Sequence, residues 1–258
     1  TLLGKSSAGW DYYANRTPAA GAQKPPADGA GLSWTALAYT ENSTWKTNKG
    51  APVGWGNLGA ATPYIILGTV LPSAEQGIST YFRKSFTVSD PTQVRSLTLE
   101  LLSDDGAVAF INGVAFPPVN VDPGTAVGGV SGIGSDKLAA STKGDGVAET
   151  AYDTLVADSS VLRALHAGLN VLSVEIHQGS ATSSDAVCDA SIAITLAPAG
   201  SGEFGLYSIN GTSFLTWDDT YKTLEESTDL SIWMPAQDAP NPFPVKTDRA
   251  RRFYRMRR

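Results

Sequence analysis

The chain has 258 residues, 42% of them hydrophobic and 17% charged, with a formal charge of −6. That balance fits a packed globular protein and excludes global disorder, and no apolar run of about eighteen residues is present to cross a bilayer as a helix. The 26 glycines and 15 prolines point to many turns rather than long helices.

The charge is unevenly spread. From Lys246 to the end there are seven basic residues against Asp248 alone, a balance of +6, which leaves −12 for the rest. Such a basic end either is a solvated terminal strand with snorkelling basic side chains or meets an anionic envelope polymer or the acidic body of a second copy of the chain, and suits nucleic acid least. The first residue is Thr1 rather than Met, which fits removal of an export signal or simple trimming. Cys188 is the only cysteine, so an internal disulfide is excluded, and a small buried apolar residue is its commonest use.

In chain order, the stretch from Gly4 to about Leu67 is rich in Gly, Pro, Ala and Asn and carries Trp10, Trp34, Trp45 and Trp55. Tryptophans need a core, so short strands and ordered loops are expected there. Phe82, Phe86 and Val88 precede Leu97, Leu99 and Leu101, whose two-residue spacing predicts a strand with one face on a core. Asn112-Gly113 lies between the runs Val108 to Ile111 and Val114 to Phe116, the signature of a tight antiparallel hairpin whose turn needs positive φ. Residues 119–150 read as a long surface excursion.

Asp158 ahead of Val161, Leu162 and Leu165 predicts one short capped helix, with Gly168 as its stop. Alternation then returns in Leu172, Val174 and Ile176, interleaved with Ser173, Glu175 and His177, and again in Ile192, Ile194 and Leu196. The segment APAGSGEFG, Ala197 to Gly205, reads as an interdomain joint. Beyond it, Tyr207 to Ile209, Phe214 to Trp217, Lys222 to Leu224, Trp233 and Arg251 to Arg257 form a small β unit with Asn210-Gly211 as a second hairpin turn. So short a unit makes a marginal core and needs a neighbour to bury its apolar surface.

Few motifs carry chemistry. Asp104-Asp105-Gly106 sets two carboxylates at a strand end, where they either gather oxygen ligands for calcium or accept backbone N–H groups in a turn. Asp185 and Asp189 are further carboxylates whose spacing demands no metal. His166 and His177 are the only histidines and match no zinc signature. Glu175 and His177 share a strand face, an acid/base pair in principle, but no Gly-x-Ser-x-Gly element accompanies them. Residues 54–59 match a dinucleotide fingerprint in letters alone, lacking its strand and helix. Trp10, Tyr12, Tyr13, Trp45 and Trp55 serve either as core or as platforms for sugar rings. Sequons stand at Asn15, Asn42 and Asn210.

Laid side by side, WKTNKGAPVGWG (Trp45 to Gly56), TYFRKSF (Thr80 to Phe86), LLSDDGAVAFING (Leu101 to Gly113), AGLNVLSVEIHQ (Ala167 to Gln178) and the Ser183–Asp185 SSD give the larger part a resemblance to the galactose-binding-domain-like jelly roll of secreted bacterial multidomain proteins. LEESTDLSIWMPA (Leu224 to Ala236) with RRFYRMR (Arg251 to Arg257) resembles the small fibronectin-like or immunoglobulin-like modules that end many exported proteins. For the larger part the resemblance implies an accessory module of a fold that often binds sugars or a structural calcium ion, with no catalytic duty implied; for the small one it implies a surface or sorting element.

The sequence therefore predicts an all-β protein: an antiparallel jelly-roll sandwich over residues 1–198 and a smaller β-sandwich-like domain over 199–258. The expected role is non-catalytic binding or adhesion outside the cell. Trp45, Trp55, Asp104, Asp105, Asn112 and His177 form the candidate ligand set for a glycan or envelope polymer, and Asp104 and Asp105 the candidate calcium ligands. An alternative is a structural subunit of a filament or surface layer, assembled head-to-tail through the basic terminal strand. Hydrolase activity is the third reading.

Overall fold

The computed structural model of the chain describes residues 1–14, 16–17, 21–22, 24–56, 65–122, 133–143, 150–196, 205–209, 212–217, 223–236, 242–246 and 251–257. The expected turn at Asn210-Gly211, the sequons at Asn15 and Asn210, and most of the expected joint lie outside these residues. The chain divides into two compact units, Thr1–Ala197 and Pro198–Arg258.

The larger unit holds thirteen described strands: β1 Trp10–Tyr13, β2 Arg16–Thr17, β3 Gly21–Ala22, β4 Lys46–Lys49, β5 Val53–Trp55, β6 Thr69–Val70, β7 Ser79–Val88, β8 Val94–Asp104, β9 Gly106–Ile111, β10 Val114–Ala115, β11 Tyr152–Val156, β12 Gly168–His177 and β13 Ala186–Leu196. They form a six-stranded sheet ordered β10-β9-β12-β7-β1-β4 and a five-stranded sheet ordered β11-β8-β13-β5-β6, with β2 and β3 paired separately. From β7 onward the long strands alternate between the two sheets, the jelly-roll path. Pairing is antiparallel throughout these sheets except between β5 and β6.

Leu97, Leu99 and Leu101 of β8 are buried between the sheets, where they meet Phe82, Phe86 and Val88 of β7 and Leu172, Val174 and Ile176 of β12. The two-residue period of each strand puts these groups on one face, and burying them supplies the main stabilisation of the sandwich. Asn112 and Gly113 have φ of 50° and 89° and join β9 to β10 with Val114 opposite Ile111. Gly113 accepts that left-handed conformation without a Cβ penalty.

Asp158 caps α1, Ser159–Arg163, by accepting from Ser160 N and Val161 N. The helix ends sooner than its spacing suggested, and Gly168, at φ 83°, opens β12 instead of closing the helix.

The alternation in β12 implied one buried and one open face, yet both are covered. A second apolar cluster, including Tyr13, Trp34, Tyr39, Trp45, Tyr81, Val108 and Phe110, lies against the outer face of the six-stranded sheet. Trp34 meets Tyr81 and Phe110 edge-on, with ring centroids 5.1 and 5.8 Å apart. Residues 24–45 therefore roof this sheet, and their tryptophans are its covering layer.

The described residues of the smaller unit form two three-stranded antiparallel sheets, β14 Gly205–Ile209, β15 Thr212–Thr216 and β18 Phe243–Pro244, then β17 Met234–Pro235, β16 Thr223–Ser227 and β19 Phe253–Arg257. Leu215, Leu224, Ala236 and Phe243 form its core, with Trp217, Val245 and Tyr254 against them.

Candidate functional site

Backbone register fixes what shares the roofed face. On β12, Ser173 lies opposite Arg83, Glu175 opposite Tyr81 and His177 opposite Ser79. These side chains are buried. Arg83 donates through Nε to Glu41 Oε1 at 2.9 Å and through Nη1 to the carbonyls of Trp34 and Ala36. It clamps the roof to the sheet. Burial lowers the Arg83 pKa and raises that of Glu41, each partly opposed by the other. Burial likewise raises the Tyr81 hydroxyl, and the nearby Glu175 carboxylate adds to the effect.

His177 does not stand as a base toward Ser79. Its Nδ1 is 2.8 Å from the Lys137 carbonyl, an acceptor only, so Nδ1 carries the proton. Ser79 Oγ, 3.2 Å from the same nitrogen, gives its own proton to the Ser135 carbonyl at 2.7 Å. The other ring nitrogen, Nε2, lies 3.6 Å from Glu175 Oε1. The pair that shares a strand face in the sequence is thus in contact, but completely buried.

The other expected ligand residues are also turned inward. Trp45 is buried against Tyr13 and Tyr39, to whose hydroxyl its Nε1 donates at 3.3 Å, and Trp55 is buried between the two sheets. Neither ring offers a face to a sugar, because both serve the cores that tryptophan's large apolar area favours. Asn112 Nδ2 donates to Ala164 O and Asn170 Oδ1 at 2.7 and 2.8 Å, and its Oδ1 accepts from Val171 N at 2.9 Å. Its amide is committed to joining the hairpin to β12.

Asp104 and Asp105 are buried and joined by a cis peptide. Asp105 Oδ1 accepts from Lys143 N at 2.5 Å and Oδ2 from Gly179 N at 2.6 Å. A calcium shell requires oxygen ligands directed at one point, whereas both oxygens of Asp105 face N–H donors. Asp105 is thus committed to backbone donors rather than to an ion, and the described residues contain no group of three or more His, Cys, Asp or Glu side chains suited to a metal. Asp105 instead ties two loops together across the end of the sandwich.

Asn120 extends that tie by donating to Asp105 O at 3.1 Å and Ser141 O at 2.7 Å. Lys143 Nζ reaches Ser103 O at 2.7 Å and Asp153 Oδ2 at 3.0 Å. Beside these loops lies a wide-mouthed recess of about 640 Å³, lined by Asp122, Gly134, Asp136, Lys137, Leu138, Ala139 and Ala140. Asp136, Lys137 and Leu138 are exposed in it, and Ser141 and Thr142 are exposed next to it. Sequence reasoning missed this recess because no motif marks it: a loop-held set of carboxylates and one amine has no periodicity.

Two further predicted features take other places. Asp189 is buried, with Oδ2 accepting from Tyr152 OH at 2.6 Å and Ser6 N at 2.8 Å. Burial raises its pKa, and these hydrogen bonds oppose the rise. Burial also pushes the Cys188 thiol up, as expected for a small core residue. In the smaller unit, basic residues read as an assembly surface are paired internally: Arg255 with Glu225 at 2.7 Å, and Arg252 and Lys246 with Glu226 at 2.9 and 3.3 Å.

No family model matches the chain, and no curated protein does. Among solved structures it is similar to a β-glucuronidase from glycoside hydrolase family 2, at 10% identity and a TM-score of 0.38, covering 99% of this chain and 26% of that one. A glycosyl hydrolase family 2 member from Bacteroides cellulosilyticus DSM 14838 gives 9% identity and a TM-score of 0.41 over 99% of this chain and 29% of that one. A β-glucuronidase from Ruminococcus gnavus in complex with N1-substituted uronic isofagomine gives 8% and 0.37 over 90% and 37%. The chain spans about a quarter to two fifths of the length of these proteins.

Proposed function

We propose that this chain is a non-catalytic glycan-binding module of an extracellular or cell-surface protein, and that it seats its ligand in the recess beside the Asp105 loops. The observation that carries the reading is the make-up of that recess: the carboxylates of Asp122 and Asp136, the amine of Lys137 and the exposed Leu138. Carboxylates accept from neighbouring sugar hydroxyls, an ammonium donates to ring and hydroxyl oxygens, and an apolar side chain covers a C–H face of the ring. The resemblance of the larger unit to galactose-binding-like jelly rolls agrees with this use of a sandwich end.

The non-catalytic part of the reading is supported by the burial of His177 and Glu175 and by the proton that Nδ1 gives to Lys137 O. An acid/base group must reach its substrate. Head-to-tail assembly gains less support, since Arg255, Arg252 and Lys246 direct charge to Glu225 and Glu226 of their own unit.

The test is a broad glycan array followed by titration of the best binder. Asp136→Ala and Asp122→Ala should each weaken it about tenfold or more. Failure to hold any glycan would remove the reading, and undiminished binding by both variants would move the site elsewhere.

A further inference from the structure

Among the described residues, all that line the recess except Asp122 belong to one segment, 134–140. Its attachment to the sandwich is specific. Ser135 O accepts from Ser79 Oγ at 2.7 Å, Lys137 O accepts from His177 Nδ1 at 2.8 Å, and Ala139 N donates to Gln178 O at 2.9 Å. The anchors fall on every second residue, and Asp136 and Leu138 between them are exposed. The segment therefore crosses the shared end of β7 and β12 with backbone groups turned to the sheet and these side chains left for the recess.

Two buried side chains hold its carbonyls. Ser79 and His177 lie opposite one another on β7 and β12, 2% and 0% exposed, with Oγ and Nδ1 3.2 Å apart. Keeping an imidazole here is unfavourable in itself. Its Nε2 has no hydrogen-bond partner among the described residues and lies 3.6 Å from Glu175 Oε1, which has none either. Buried polar atoms in that state oppose folding, and an apolar side chain would fill the space without the cost. What the ring supplies is Nδ1–H, directed at the backbone of Lys137, whose Nζ lies 4.0 Å from Asp122 Oδ2. The same residue's carbonyl accepts from Asp105 N at 3.3 Å, so His177 also joins this segment to the Asp105 tie.

We propose that His177, assisted by Ser79, is the positioning residue of the recess: its Nδ1–H holds the Lys137 backbone so that Asp136, Lys137 and Leu138 present one preformed set of groups to a glycan. Neither buried side chain touches the sugar. A loop ordered before binding has less conformational freedom to lose when it binds, so affinity depends on a residue behind the recess wall. The presence of a sugar there rests on the glycan-binding reading above, whereas the order of the loop does not.

The test applies hydrogen exchange and the glycan array to the full chain as wild type, His177→Leu, His177→Asn and Ser79→Ala. Leucine offers no donor, whereas Asn sets Nδ2 where Nδ1 stands. In His177→Leu the amides of Lys137 and Ala139 should exchange about tenfold faster, while those of Val174 and Phe82 within the sheet keep their protection relative to global unfolding. Array binding should weaken about tenfold in the same variant. His177→Asn should recover most of both, which a role in packing alone would not allow. Ser79→Ala, one oxygen smaller, should loosen the same amides about threefold, and it decides the matter if His177→Leu does not fold. Unchanged exchange at Lys137 and Ala139, or a loss in His177→Asn equal to that in His177→Leu, overturns the proposal. So does array binding by His177→Leu equal to that of the wild type. Absence of array binding by the wild type removes the glycan-binding reading and the role of His177 toward a sugar, while exchange still decides whether His177 and Ser79 order the loop.

Discussion

Arg83 and Glu41 meet at 2.9 Å on the outer face of the six-stranded sheet, and through this pair a strand near the middle of the sheet holds the segment that covers it. Arg83 also donates to the carbonyls of Trp34 and Ala36. Replacing it with Met keeps much of the apolar stem but leaves Glu41 and two carbonyls without their donor. Arg83→Met should cost about 3 kcal/mol in urea unfolding, and Glu41→Gln, which keeps an acceptor, distinctly less. A loss below about 0.5 kcal/mol for Arg83→Met would show that the roof is held by its tryptophans alone.

Asp105 is the corresponding tie at the end of the sandwich, with one oxygen on Lys143 N and the other on Gly179 N. Asp105→Ala removes both charge-assisted hydrogen bonds and should destabilise the larger unit by about 2–4 kcal/mol. Hydrogen exchange supplies the sharper readout: the amides of Lys143 and Gly179 should lose protection, while those of β8 retain theirs relative to global unfolding. Unchanged exchange at both amides would mean that the loops are fixed by other contacts.

Two aspartates should respond oppositely to acid. Burial raises Asp189 above the ordinary 3.8, so its folded state binds the proton more readily than the unfolded chain. Its contribution to stability grows as pH falls through the raised value toward 3.8 and declines as pH rises. Asp158 is lowered below 3.8 by the Ser160 hydroxyl and the Val161 amide, so its contribution is present above 3.8 and is lost as pH falls through the lower folded value. The stability difference between wild type and Asp189→Asn should therefore move in wild type's favour between pH 7 and 4. The cost of Asp158→Ala, about 1 kcal/mol at pH 7, should shrink toward the acid limit. Parallel trends for the two variants would contradict the environments assigned to these carboxylates.

Strand patterning carried the fold. Leu97, Leu99 and Leu101 are buried together because their period matches the pleat, and Asn112-Gly113 turns where its tolerance for positive φ is required. What covers the second face of a strand is not written in that strand. The sequence puts Glu175 and His177 on the strand face opposite Leu172, Val174 and Ile176 without saying what lies over it, and Trp34, Tyr39 and Trp45, from far earlier in the chain, help close over that face. The same long-range packing removes Trp45 and Trp55 from any ligand surface, and the recess at Asp122 and Asp136 depends on a fold-level meeting of loops.

The carboxylates of the Asp104–Asp105 turn also give a definite expectation for calcium. An ion bound only by the folded chain raises stability by about 2.7 kcal/mol at a hundredfold excess over its dissociation constant, a large shift in unfolding midpoint. With Asp105 Oδ1 and Oδ2 both accepting backbone N–H bonds, binding calcium there would require breaking the tie between the loops before any ligand gain is made. Thermal unfolding in millimolar EDTA and in millimolar calcium should therefore give the same midpoint. A calcium-dependent rise in midpoint that Asp105→Asn abolishes would show that the turn rearranges to take the ion and that its hydrogen bonds to Lys143 and Gly179 are the alternative state.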